Sequence, residues 1–226
     1  MENKNKISEE KNPVLLKVEQ VTHKFDYPLF NNISLELLQK QSIAIIGVSG
    51  TGKSTLLNIF CSLLKPNSGK VIYNNKDIYT YKEDELTKLR RYDFGIIFQA
   101  HYLFRGFNAT QNLEIAEFLS EEKIDNNLLK LLKIDHVLHQ NVGALSGGQQ
   151  QRLSIARILT KKPKIIFADE PTGNLDKDTA FDVIDALFDY TFKNNAGMIL
   201  VTHERELAFK CDNVYELKNE QLEKIK

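Results

Sequence analysis

The sequence predicts an α/β fold: a mostly parallel central sheet covered on both faces by helices, with a helical lobe inserted into it. Three observations predict it. The run Ser42 to Ile46 is near-continuously apolar and ends at Gly47, as a strand buried on both faces does. Further short apolar strands alternate with helical segments, which is the pattern of a parallel sheet. From about His101 to Gly143 strand signals stop and apolar residues keep only helical spacing.

Taken in order, Val14 to Val21 and Ile33 to Leu37 alternate apolar and polar residues and read as strands, punctuated by Pro28 and the Asn31-Asn32 pair. Ser42 to Ile46 is the buried strand. Leu56 to Leu64 reads as a helix stopped by Pro66 and Gly69. Val71 to Tyr73 is a short strand, Tyr79 to Tyr92 a charged helix, and Gly95 to Phe98 a further strand. In the lobe, Leu113, Ala116, Leu128, Leu131 and Leu132 mark the apolar faces of helices. Gln149 to Thr160 reads as a helix and Lys164 to Ala168 as a strand. Ala180, Val183, Ile184 and Leu187 form the i, i+3, i+4, i+7 stripe of an amphipathic helix. Met198 to Thr202 is the last strand of the series. Residues 1–12 are expected to be a flexible lead and 13–226 one folded domain, with the lobe at about 101–146.

Composition narrows the classes. The chain has 226 residues, enough for one large domain or one domain with a lobe. It is 42% hydrophobic and 27% charged, too apolar for a disordered chain. Thirty Lys and Arg balance thirty Asp and Glu, so the basic surplus expected of a nucleic-acid binder is missing and no such partner is expected. The longest apolar runs, Ile43 to Ile46 and Met198 to Val201, fall far short of the ~18 residues that span a bilayer. The start, MENKNKISEEK, lacks the apolar core of a secretory signal. Two cysteines, Cys61 and Cys211, make no disulfide framework. A reducing cytosol is the expected compartment, and any work at a membrane is expected to go through a partner.

The strongest local signal runs from Gly47 to Thr55. Gly47-Val48-Ser49-Gly50-Thr51-Gly52-Lys53-Ser54-Thr55 fits G-x-x-x-x-G-K-[ST], between a buried strand and a helix. A polyphosphate needs several backbone N–H groups aimed at one point, and glycines allow the backbone to come that close. The following helix adds the partial positive charge of its N-terminus. Lys53 can reach the β and γ oxygens, and Ser54 can ligate Mg²⁺, which prefers hard oxygens. A second signal is Lys164 to Glu170, an apolar strand ending in two acids. If that strand lies next to the phosphate-loop strand, both acids reach the carboxyl edge of the sheet, where ligands bind. Asp169 would then hold Mg²⁺ through water, and Glu170 could take a proton from water attacking the γ-phosphate.

Leu145-Ser146-Gly147-Gly148-Gln149 resembles the signature peptide of ATP-binding cassette (ABC) proteins. The resemblance covers almost the whole chain, from about Val14 to about Leu222. The landmarks come in the family's order: the phosphate loop at 47–55, Gln99 after a short strand, the signature at 145–149, Asp169-Glu170, Asn174-Leu175-Asp176, and His203 after a strand. It implies a P-loop ATPase with a small antiparallel β subdomain beside the central sheet. Ser146, Gly147 and Gly148 begin a helix, and a helix start is a second anion site. The family supplies the reason: two copies pair head-to-tail, and each ATP lies between one copy's phosphate loop and the other's signature, Gln149 included. Residues 150–164 carry five basic residues and no acid, a favourable field near that phosphate or simply a solvated face.

The same resemblance implies that Gln99 touches Mg²⁺ or the lytic water, that His203 bonds the γ-phosphate and orients the water of Glu170, and that Asp176 lies across the dimer seam. Phe25 is the implied aromatic platform for adenine, with Tyr27 close by. Ala168 to Asp176 resembles the subgroup holding lipoprotein-releasing, macrolide- or peptide-efflux and cell-division cassettes, and Phe98 to Phe104 resembles the lipoprotein-release member most. That implies an integral membrane permease as partner, and a place on the cytoplasmic face of the inner membrane. A cell-division ATPase and a non-transport cassette are the alternatives; a small-molecule kinase leaves the signature peptide unexplained. Two features depart from the pattern. The stretch from Gln99 to Ser146 is short, and residues 110–140 hold six acids against three lysines, which suits docking to a basic partner but is read first as a solvated acidic face.

Overall fold

The computed structural model describes residues 12–173 and 175–226; residues 1–11, within the expected flexible lead, and Asn174 lie outside them. Two sheets form. The first is antiparallel and contains β1 (Val14–Lys24), β2 (Pro28–Leu38), β4 (Ser68–Tyr73) and β5 (Lys76–Asp77) in the order β2-β1-β4-β5. The second contains β3 (Ser42–Ile46), β6 (Phe94–Ile97), β7 (Ile165–Asp169), β8 (Gly197–Val201), β9 (Asn213–Lys218) and β10 (Gln221–Lys224). Its order is β10-β9-β3-β8-β7-β6, parallel throughout except for β10.

Alternate residues of the central strands serve two cores. Ile43, Ile45, Phe167 and Val201 face α1 (Lys53–Phe60) and the antiparallel sheet. Ala44, Ile46, Ala168 and Leu200 face α5 (Gly147–Thr160) and α6 (Lys177–Lys193). All five residues of β3 are buried: Ile43 to Ile46 as an apolar run, and Ser42 with its N–H and hydroxyl donating to the Asp212 carboxylate. Burying a side chain such as Ile43 or Phe167 is worth roughly 1.5–3 kcal/mol.

Several elements differ from expectation for identifiable reasons. β2 begins at Pro28 and runs through Asn31 and Asn32, because Asn32 takes a left-handed φ of 59° and absorbs the irregularity as a bulge. α1 stops at Phe60, where Ser62 turns left-handed at φ 67°. Residues 79–92 are not one helix: a 3-10 turn (Ile78–Thr80), α2 (Glu83–Lys88) and a π turn (Leu89–Asp93) share them. The lobe holds α3 (Ala109–Ser120), α4 (Asn126–Leu131) and two 3-10 turns, and Leu129, not the exposed Leu131, enters the core. A short α7 (Arg205–Ala208) follows β8.

One correction bears on the chemistry. β7 does not lie next to β3; β8 sits between them. The acids still reach the phosphate loop, because α1 leaves β3 and packs across both β8 and β7. The carboxyl ends of β3, β8, β7 and β6 therefore share one edge, where open α/β sheets bind ligands.

Candidate functional site

The loop after β3 is shaped by two glycines. A Cβ on Gly47 would lie 2.7 Å from the Leu217 carbonyl oxygen, so no side chain fits where the loop leaves the sheet. Gly52 takes φ 93° as the N-cap of α1 and offers no side chain to cap it, leaving the first N–H groups of the helix for an anion. The Val48 carbonyl accepts hydrogen bonds from Lys53 Nζ at 3.0 Å and Thr51 Oγ1 at 2.9 Å. These bonds fold the 8%-exposed lysine back over its own loop.

Ser54 Oγ donates to Asp169 Oδ1 at 3.0 Å. Burial pushes the Asp169 carboxyl above its ordinary range, and neighbouring Glu170 adds to it, while the Ser54 bond and the Lys53 charge oppose the shift. Glu170 has a left-handed φ of 46°, a conformation costly for a non-glycine residue and secured here by its N–H donating to the Val201 carbonyl at 2.9 Å. Its carboxylate meets His203 Nδ1 at 2.9 Å and accepts from the buried Thr202 Oγ1 at 3.3 Å. Two consecutive residues after β8 thus hold the two oxygens of the carboxylate that follows β7.

Phe25, Ser49, Gly50, Gly52, Lys53, Ser54, Thr55, Gln99 and Glu170 line one cleft of about 310 Å³, with Tyr27 and Leu29. Gln99 reaches it from the end of β6, its Nε2 3.4 Å from where a Gly173 Cβ would stand. Phe25 and Tyr27 are both more than half exposed at its mouth. Asp169 joins through Ser54 and His203 through Glu170.

The remaining expected residues form a second group. Ser146 caps α5: its Oγ accepts from Gln149 N at 3.2 Å, while Ser146 N donates to Gln149 Oε1 at 2.8 Å. The Gln149 amide is thus committed to its own helix. Gly148 lies against Leu175 and Thr179 at the start of α6, which Asp176 caps by accepting from Thr179 N at 3.0 Å. That bond holds the exposed Asp176 carboxyl below the usual range. None of Ser146, Gly147, Gly148, Gln149 and Asp176 lines the cleft.

Sequence reasoning missed the Thr202 hydroxyl and buried Gln151, which bonds both His101 Nδ1 and, at 2.7 Å, the Pro171 carbonyl. It also missed the Ser-x-x-Gln capping signature at 146–149, which was there to be read. Among the described residues no group of three His, Cys, Asp or Glu could hold a metal by itself, and no helix is long and apolar enough to cross a membrane.

Comparison with known proteins accords with this geometry. The family model for ABC transporters matches residues 30–173. The lipoprotein-releasing system ATP-binding protein LolD of Rickettsia bellii is 40% identical over 197 residues, covering 84% of this chain and 87% of that protein. The macrolide export ATP-binding/permease protein MacB of Vibrio parahaemolyticus is 37% identical over 92% of this chain, which spans 34% of that longer protein. Among solved structures, the ATP-binding cassette MJ0796, in a dimeric post-hydrolysis state with ADP and Pi, superimposes with a TM-score of 0.84 at 30% identity, over 94% of this chain and 99% of that one. The chain therefore belongs to the ABC transporter family, as an ATP-hydrolysing cassette.

Proposed function

We propose that this cassette powers a lipoprotein-release type permease from the cytoplasmic face of the inner membrane, working as a head-to-tail pair of identical chains that sandwich ATP. The observation that carries the pairing is the division of the site. The phosphate cradle and the capped start of α5 are both anion sites, yet the cradle's cleft includes no residue of 146–149. A second copy supplies what the first lacks. Residues 13–226 act as one ATPase domain, with the lobe at 101–146 offered to the permease. The likeness to LolD, over most of both chains, supports lipoprotein release over macrolide export.

In this reading Gly47, Ser49, Gly50, Thr51, Gly52 and Thr55 wrap the phosphates, Lys53 neutralises them, and Phe25 stacks on adenine. Ser146, Gly147 and Gly148 of the second copy close on the γ-phosphate, with Gln149 bracing that turn and Asp176 at the seam. Mg²⁺ fits the donor set: the Ser54 hydroxyl and the Asp169 carboxylate present hard oxygens 3.0 Å apart, with Gln99 facing the same cleft. Mg²⁺ supplies charge neutralisation at the phosphates when bound. Glu170 takes the proton of the water that attacks the γ-phosphorus, the bond to the leaving oxygen breaks, and ADP and phosphate result. His203 holds the Glu170 carboxylate and turns it toward that water.

The test is co-purification from solubilised membranes of the Glu170→Gln protein loaded with ATP. Recovery of a lipoprotein-release type permease is the expected result; recovery of cell-division proteins instead would overturn the assignment.

A further inference from the structure

His23 lies beside the cleft without lining it. It is 5% exposed, and among the described residues neither ring nitrogen has a hydrogen-bond partner. Buried polar atoms are nearly always bonded, so an imidazole left with none needs an explanation. Burial holds its titration below the ordinary histidine value. The ring is therefore neutral and behaves as a flat packing unit.

What it packs is specific. His23 meets Phe25 edge-on, with centroids 4.9 Å apart and planes at 88°. On its other side it stacks on Phe30, its register partner in β2, at 6.2 Å and 30°. Phe30 in turn stands against Gly52, 3.4 Å from where a Cβ would be, at the N-cap of α1. Three rings, Phe25, His23 and Phe30, thus run from the cleft mouth to Gly52 of the phosphate loop.

We propose that His23 is a positioning residue for nucleotide recognition, a neutral ring that fixes the Phe25 platform at a set distance from the phosphate cradle. Phe25 is more than half exposed at the end of a strand, and its edge contact with His23 limits where its ring can lie. A platform so held favours a ligand whose base and phosphates are joined at the matching span. It adds nothing for a bare polyphosphate.

The inference rests on the reading of Phe25 as the adenine platform, and the experiment separates the two. Affinities for ADP and for inorganic tripolyphosphate are measured on the full chain. His23→Ala should weaken ADP roughly three- to tenfold, the worth of one aromatic pair, and leave tripolyphosphate unchanged. His23→Phe, which restores a neutral ring, should recover the wild-type preference. Phe25→Ala tests the platform itself: an unchanged ratio there sinks that reading. A lowered ratio in Phe25→Ala with an unchanged one in His23→Ala sinks the positioning role alone. Should His23→Ala fail to fold, the wild-type histidine NMR signals decide. The His23 ring signals should shift with saturating ADP and not with tripolyphosphate; no difference between the two ligands overturns the proposal.

Discussion

Glu170 and Asp169 are consecutive acids with different surroundings, and the roles proposed for them separate accordingly. Glu170 is held by His203 and Thr202, so its carboxylate is oriented while remaining able to accept a proton. Glu170→Gln keeps the acceptor for Thr202 and loses the base. Steady-state ATPase assays should show turnover lower by about 10²- to 10⁴-fold with ATP still bound; wild-type turnover would remove Glu170 as base. Lys53→Ala removes a charged donor from the phosphates and should cost about 2 kcal/mol of nucleotide affinity, roughly thirtyfold, by titration calorimetry. Asp169 carries a desolvated carboxylate whose folded pKa is raised. The native state thus binds more protons than the unfolded one just above the ordinary carboxylate range, and stability falls as pH rises through that window. Asp169→Asn should therefore melt higher than wild type without nucleotide at pH 7, and the gap should close as pH falls toward 4. Its Mg²⁺-dependent turnover should be lost. An Asn variant that melts lower at pH 7 would contradict the burial argument.

At the scale of elements, the start of α5 caps its helix and, in the proposed pairing, closes on ATP, and mutation can separate the two. Ser146→Ala removes a side-chain cap and should cost about 1 kcal/mol of stability in chemical denaturation. A Cβ at Gly147 meets nothing within 4 Å, so Gly147→Asp should leave the melting curve within about 0.5 kcal/mol of wild type. Its negative charge at the helix N-terminus should nonetheless block the ATP-driven pairing. The phosphate loop was legible because Gly47 and Gly52 answer a real steric demand beside a buried strand, whereas the start of α5 makes no such demand at Gly147 and was legible only through the family resemblance. Ser42–Ile46 and the stripe of α6 were legible because burial imposes its period. Strand order was not: β8 separates β3 from β7, and local pattern carries no record of which parallel strands are neighbours. β9 and β10 went unread because half-buried and exposed residues dominate both and neither carries a continuous apolar run. The Glu170–His203 contact spans 33 positions, so only the family resemblance pointed to it.

At the scale of the whole molecule, the proposed pairing rests on a cleft lined by the phosphate loop and Phe25 and on a separate helix start, that of α5, outside it. The formal net charge is zero, so no long-range repulsion opposes the approach of two copies. Binding energy for the pair must then come from the shared nucleotide and the surfaces around it, and pairing should follow the nucleotide state. Light scattering of the Glu170→Gln protein, with and without ATP, tests this most directly. Mass should double with ATP, and adding Gly147→Asp should return it to the single chain. A single chain that binds ATP tightly yet never pairs, or a pair indifferent to the charge at 147, would contradict the proposed pairing.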